Sequence, residues 1–111
     1  YGTGFQTRTF CYINDAIDGF LKVITSDLPS DAYNVGNPNP EISMNDLAAL
    51  IAQIQGKTLN INHIPYPDTY PSDEPLRRCP DINKINKTFN FYPQIDLKTG
   101  LKRFLHWVEK V

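Results

Sequence analysis

Cysteine, methionine and tryptophan are scarce in this chain, with two, one and one among 111 residues. Cys11 and Cys79 have no CxxC or histidine spacing around them, so neither a disulfide framework nor a zinc site has support, and a reducing, cytoplasmic setting is expected. Long apolar runs are absent as well. Nothing approaches the roughly 18 residues of a membrane span, and the helical patterns lack a lysine-rich amphipathic face, so a soluble domain without membrane partners is expected. An excess of either charge is missing too: eleven basic against twelve acidic side chains give a net charge of −1. Without a basic block to neutralise phosphates, nucleic-acid binding is excluded. His63 and His106 have no partners at metal-ligand spacing and belong to no Ser/His/Asp or Cys/His arrangement. The chain begins at Tyr1 with neither an initiator methionine nor a signal-peptide pattern, so a fragment or a processed product is expected. Its length fits one domain that buries somewhat over ~60% of its unfolded surface. The sequon Asn86-Lys87-Thr88 falls inside a helical pattern and reads as chance.

What is present in quantity is proline, and it gathers with carboxylates ahead of an arginine pair. The stretch Tyr66 to Asp81 reads Tyr-Pro-Asp-Thr-Tyr-Pro-Ser-Asp-Glu-Pro-Leu-Arg-Arg-Cys-Pro-Asp. Proline fixes φ and removes backbone donors, so this segment reads as a stiffened loop. Arginine presents a planar fork of donors that fits paired phosphate or carboxylate oxygens. A rigid loop bringing Arg77 and Arg78 to one place points to an anion site. The plainer alternative is local ion pairing with Asp73, Glu74 or Asp81, which is common on surfaces and contributes little.

Periodicity places the remaining elements. Thr7 to Ile13 alternates and predicts a short strand with Arg8, Phe10 and Tyr12 on one face. Asn14 or Asp15 caps a helix running to about Ser26, with Ile17, Phe20, Leu21 and Ile24 as its apolar stripe. That stripe is expected to stay exposed if a further domain packs on it. Ala32 to Val35 reads as a second strand, stopped by Gly36-Asn37-Pro38-Asn39-Pro40. Ser43 with Asp46 resembles a capping box, and Leu47, Leu50, Ile51 and Ile54 form one face of a helix ended by Gly56. Leu59, Ile61 and Ile64 suggest a third strand, making residues 32–64 a parallel strand–helix–strand crossover. Asp81 caps a helix carrying Ile82, Ile85 and Phe89, with Asn90 as a left-handed terminator. Asp96 caps a last helix whose Leu97, Leu101, Phe104, Leu105 and Val108 read as core, with Lys102, Arg103 and Lys110 outside. The fold class is therefore α/β, a small mixed domain of short strands and about four helices. Tyr1-Gly2-Thr3-Gly4 has two glycines of a phosphate-loop type but no third and no preceding strand, and reads as a turn.

Several segments in one order carry a resemblance. They are Gly4-Phe5-Gln6-Thr7-Arg8-Thr9-Phe10-Cys11-Tyr12-Ile13-Asn14-Asp15, Tyr33-Asn34-Val35-Gly36-Asn37, the capped Ser43 helix, Arg77-Arg78-Cys79-Pro80-Asp81-Ile82 and the Asp96 to Gly100 helix start. Together they resemble the C-terminal third of an extended short-chain dehydrogenase/reductase, of the nucleotide-sugar epimerase, 4,6-dehydratase and UDP-glucuronate decarboxylase kind. The resemblance implies that this portion holds a UDP- or dTDP-sugar, that a preceding Rossmann domain binds NAD and carries a Ser/Thr, Tyr and Lys catalytic set, and that the parent is a homodimer. It assigns Arg8 to the nucleotide diphosphate with Gln6 on the same approach, Asp73 beside Pro75 to the ribose, and Arg78, with Arg77 adjacent, to the phosphates or a sugar carboxylate. Tyr70-Pro71 departs from the pattern, standing where some epimerases have a second phosphate arginine. The Tyr-xxx-Lys pair does not occur: the six tyrosines are followed four positions later by Phe5, Ala16, Asn37, Tyr70, Glu74 and Asp96. The chain alone is expected to be inactive. A self-standing nucleotide-binding module and a structural or oligomerisation domain are the competing readings.

Overall fold

The computed structural model describes residues 1–71 and 73–111; Ser72, within the proline-rich loop, lies outside the described residues. Among them are four helices and one two-stranded sheet, a mixed α/β chain that divides into two units. One comprises Tyr1–Arg8 and Glu41–Arg78, the other Thr9–Pro40 and Cys79–Val111.

The first unit is organised around β1 (Thr7–Arg8), which pairs antiparallel with β2 (Ile42–Ser43) in the register Thr7 to Ser43 and Arg8 to Ile42. On its other edge Thr7 forms a parallel bridge with Arg77, its N–H donating to the Leu76 carbonyl at 2.8 Å and its carbonyl accepting from the Arg78 N–H at 3.2 Å. β2 runs straight into α2 (Met44–Gln55). Ser43 Oγ accepts from the Asp46 N–H at 3.0 Å, which satisfies an orphan donor of the first turn, and Gly56 ends the helix at φ 64° where a left-handed cap favours glycine. Opposite Arg8, the Thr7 side chain donates to Glu41, and the Arg77 fork closes on the same carboxylate with Nε 2.9 and 3.0 Å and Nη2 2.8 Å from its oxygens.

The second unit holds the buried core. α3 (Asn83–Phe89) places Ile85 fully inside with Ile82 and Phe91, and Val23, Tyr33, Val35 and Phe89 pack around them. Tyr33 meets Phe89 edge-on at 5.1 Å, and Lys84 lies 4.8 Å over the Tyr33 ring while pairing with Asp31. Asn90 terminates α3 at φ 51°, as its sequence position indicates. α1 (Ile13–Ile24) approaches this core through Gly19, where an added Cβ would come within 2.6 Å of Val35 and 3.0 Å of Phe91. Asp15 is buried near its start and accepts the Gln94 and Ile95 N–H groups at 3.1 and 2.8 Å. α4 (Leu97–Val108) is capped by Asp96, whose carboxylate takes both the N–H and the hydroxyl of Thr99.

Several expectations are corrected. The first strand stops at Arg8 instead of reaching Ile13, and Phe10 and Tyr12 lie beyond it; the cation over the Tyr12 ring is Arg103, at 5.6 Å. Residues 32–35 and 59–64 form no strand, so the parallel crossover does not exist and the sheet is antiparallel. Tyr33 and Val35 pack on the core without a ladder, whereas Leu59, Ile61 and Ile64 are exposed. α1 begins at Ile13 after Tyr12 instead of being capped by Asn14 or Asp15, because the Asp15 carboxylate is taken by the 94–95 backbone. Ile82 occupies the N-cap position of α3, while Asp81 accepts from the Asn83 N–H. In the last helix Leu97 is buried, but Phe104 and Val108 are 53% and 47% exposed, so that stripe is only partly core. The α1 stripe of Ile17, Phe20, Leu21 and Ile24 is exposed at between 48% and 60%.

Two expected outcomes follow from this packing. In a free helix Gly19→Ala would gain about 1 kcal/mol of propensity. Here the added methyl meets Val35 and Phe91, and overpacking of about 1–3 kcal/mol should exceed that gain, so denaturant melts should show a lower midpoint; a raised midpoint would contradict the close approach. The Thr7 hydroxyl, and after it the Arg77 guanidinium, hold the Glu41 carboxyl below the ordinary glutamate value. A depressed carboxylate stabilises the fold above its unfolded pKa and loses that contribution as pH falls through the folded one. Carbon-detected titration should therefore give Glu41 a low midpoint that rises toward the ordinary value in Thr7→Val.

Candidate functional site

Alternation along β1 sends neighbouring side chains to opposite faces, and this separates two arginine clusters within the first unit. Thr7 faces the Glu41–Arg77 pair. Arg8 faces the other way, where its Nη2 lies 2.6 Å from Glu74 Oε1 and its Nη1 donates to the Thr7 and Leu76 carbonyls at 2.7 and 3.4 Å. Arg78 reaches the second oxygen of the same carboxylate, with Nη2 2.9 Å from Oε2. Arg8 and Glu74 are largely enclosed, with side chains 19% and 23% exposed, whereas Arg78 is 58% exposed. One carboxylate thus bridges two guanidinium groups whose backbones are tied to each other through Thr7.

Adjacent arginines in an extended segment point apart for the same reason. Arg77 is committed to Glu41 and Arg78 to Glu74, so the proline-rich loop does not bring its arginine pair to one place. The convergence is between Arg8 and Arg78 instead. Of the carboxylates offered as local partners, Glu74 takes that role; Asp73 is exposed, and Asp81 accepts from Asn83 and belongs to the second unit.

Arg8 also lines a cavity of about 330 Å³, contained in the first unit. Gln6, Asn45, Asn62 and His63 supply its polar wall, and Tyr1, Tyr66, Tyr70, Met44, Ala48 and Ile61 much of the rest. The three tyrosines form a cluster, with Tyr66 and Tyr70 4.4 Å apart and Tyr1 and Tyr66 stacked at 5.9 Å. His63 Nε2 lies 2.9 Å from Asn45 Oδ1, and Asn45 Nδ2 donates to the Thr3 carbonyl at 3.0 Å. Gln6 is anchored by its side chain to the Tyr1 carbonyl at 3.3 Å and by its own carbonyl to the Met44 N–H. The arrangement sets Arg8 in the cavity wall, with Arg78 joined to it through Glu74, beside several neutral hydrogen-bonding groups and an aromatic wall, a combination suited to an anionic ligand with a flat or polar attachment.

Sequence reasoning missed Tyr1, Asn45, His63, Tyr66 and Tyr70 as lining residues. The tyrosine-proline repeats of 66–71 were the available signal. His63, which has no metal or catalytic partner in the sequence pattern, has a polar partner in Asn45. Gly2 and Gly4 do adopt positive φ, but a Cβ on Gly2 would meet the Tyr66 ring and one on Gly4 the Asn45 carboxamide, and the segment leads into β1, not into a helix. These residues do not fit a dinucleotide-binding turn, which requires a helix N-terminus after the glycines. Among the described residues no cluster of three or more His, Cys, Asp or Glu could hold a metal, and no helix is long and apolar enough to cross a membrane. Burial, and after it the Asp15 carboxylate, push the Cys11 thiol up, which keeps it protonated and unsuited to nucleophilic attack.

No family model matches the chain. It is similar over its whole length, at 29% identity, to UDP-N-acetyl-alpha-D-glucosaminuronate decarboxylase of Bacillus cytotoxicus, of which it covers 35%. UDP-glucuronic acid decarboxylase 1 of Xenopus tropicalis is 34% identical over 99% of the chain, which covers 25% of that protein. Among solved structures, UDP-glucuronic acid 4-epimerase from Bacillus cereus, in complex with UDP-glucuronic acid and NAD, superposes with a TM-score of 0.83 at 25% identity, over 99% of this chain and 34% of that one. The chain therefore spans between a quarter and about a third of the length of the relatives it matches. Along its whole length, in both sequence and backbone, the chain is thus similar to a C-terminal portion of the extended short-chain dehydrogenase/reductases of the nucleotide-sugar epimerase, dehydratase and decarboxylase kind.

Proposed function

We propose that this chain is the substrate-holding portion of an NAD-dependent nucleotide-sugar epimerase, dehydratase or decarboxylase, and that it grips the diphosphate of a UDP- or dTDP-sugar through Arg8 and Arg78. The observation that carries the reading is the sharing of Glu74 by these two guanidinium groups, since a pair of forks that close on one carboxylate is spaced to close on phosphate oxygens. Gln6, on the same approach as Arg8 in the cavity lining, and Asp73, in the proline-rich loop, are assigned to the remainder of the nucleotide. Arg77, held by Glu41, fixes the bridge that carries Arg78. Its part in substrate binding is indirect.

NAD belongs, on this reading, to a portion of the longer enzyme that also carries the proton-transfer residues. The residues present here do not fit the cofactor, and no hydride step is assigned to them. That portion covers the exposed apolar face of α1, and the assembled enzyme is a homodimer in the cytoplasm. The B. cereus epimerase, solved with UDP-glucuronic acid and NAD together, supports this division.

Titration of UDP into the 111-residue chain, followed by backbone amide shifts, tests the grip. A charge-assisted bond to phosphate contributes roughly 1.5–3 kcal/mol, so Arg8→Lys and Arg78→Lys should each weaken UDP binding by on the order of tenfold to a hundredfold. The melting temperature should fall for Arg8→Lys, which loses bonds to the Thr7 and Leu76 carbonyls and an enclosed pair with Glu74, and barely move for the exposed Arg78. Unaltered UDP affinity in both variants would return these arginines to ordinary ion pairing. The chain with added NAD should give no turnover of UDP- or dTDP-sugars, and measurable product would contradict the division of labour.

A further inference from the structure

Glu74 is the group most at odds with a diphosphate site, because it occupies the position that a phosphate would need. Both of its oxygens are engaged, one by Arg8 at 2.6 Å and the other by Arg78 at 2.9 Å. Two guanidinium groups this close, one of them largely enclosed, require an anion between them when no ligand is bound; otherwise they repel each other and leave a partly desolvated charge uncompensated. The two arginines and the carboxylate are held differently. Arg8 belongs to a strand bonded on both edges, its guanidinium is further tied to the Thr7 carbonyl, and the Arg78 N–H is locked on that same carbonyl. Among the described residues, the Glu74 N–H donates to the Pro71 carbonyl at 3.3 Å. The Arg8 guanidinium and the Arg78 backbone are fixed by the fold, while the Glu74 side chain can rotate away and the exposed Arg78 side chain can follow an incoming anion.

Resting on the diphosphate reading above, we propose that Glu74 is an internal surrogate for the ligand's phosphate, filling the two-arginine cradle in the free chain and expelled when a nucleoside diphosphate binds. The exchange conserves the charge compensation of the arginines, so the cradle is never left empty. It also sets a threshold: a ligand must bring enough negative charge and enough acceptor oxygens to outcompete a bidentate carboxylate. A nucleoside without phosphates leaves Glu74 in place.

The test compares the unaltered chain with Glu74→Gln and Glu74→Asp, each titrated with UDP and with uridine, while the Glu74 carboxyl carbon is followed in the unaltered chain. Removing the competing charge should tighten UDP binding in Glu74→Gln by on the order of tenfold. Shortening the side chain in Glu74→Asp should give a smaller gain. Uridine affinity should be the same in all three, and saturating UDP should move the Glu74 signal to that of a solvated carboxylate. If the unaltered chain binds UDP but Glu74→Gln binds it equally or more weakly, or the carboxyl signal stays put, Glu74 supports the arginines and the surrogate role is overturned while the diphosphate reading stands. If neither the unaltered chain nor Glu74→Gln binds UDP, the diphosphate reading itself fails and the surrogate role with it. Should Glu74→Gln lose its fold by circular dichroism, Glu74→Asp and the carboxyl signal decide the question.

Discussion

Two residues of backbone, Thr7 and Arg8, organise the first unit. Their strand pairs with β2 on one edge, where the Gln6 carbonyl accepts from the Met44 N–H, while Thr7 gives its N–H and carbonyl to the 76–78 segment on the other, so three stretches of chain remote in sequence meet at this strand. That meeting positions every charged group of the candidate site. Alternation then sends the Thr7 hydroxyl to Glu41 and the Arg8 guanidinium to Glu74, and the parallel bridge repeats the division one strand away, with Arg77 on Glu41 and Arg78 on Glu74. Five charged side chains are sorted into two clusters by the pleat.

The two clusters differ in composition, and the difference decides which of them can accept a ligand. Glu41 takes the Nε and Nη2 donors of one cation and the Thr7 hydroxyl, and the hydroxyl first and the guanidinium second hold its carboxyl below the ordinary value. Glu74 meets two cations beside a cavity with an aromatic and polar lining. Exchanging one anion for another there leaves the arginines compensated, whereas removing Glu41 would leave Arg77 without its bidentate partner. The first cluster is a brace and the second a receptor.

Sequence legibility followed the range of the interactions. Helix ends set by neighbours three or four residues away could be read directly: Ser43 with Asp46, Gly56, Asn90 and Asp96 with Thr99 all do what their positions indicate. Strands could not, because apolar residues at 32–35 and 59–64 satisfy a strand pattern as well as an irregular path, and only pairing partners distinguish the two. Arg8 and Arg78 were legible as candidates from residue type and family resemblance, but their convergence was not, since it depends on a bridge between residues about seventy apart. Gly19 shows the opposite failure. Its helix-weakening propensity was visible, while the close approach of Val35 and Phe91 that requires it was not.

The central claim is that Arg8 and Arg78 form one diphosphate cradle, with the family's cofactor chemistry carried elsewhere. A crystal structure of the chain grown with UDP tests it most directly. The account predicts diphosphate oxygens about 2.7–2.9 Å from both guanidinium groups, with the Glu74 carboxylate turned away from them. A nucleotide bound elsewhere, or Glu74 still bridging both arginines beside a bound UDP, would contradict it.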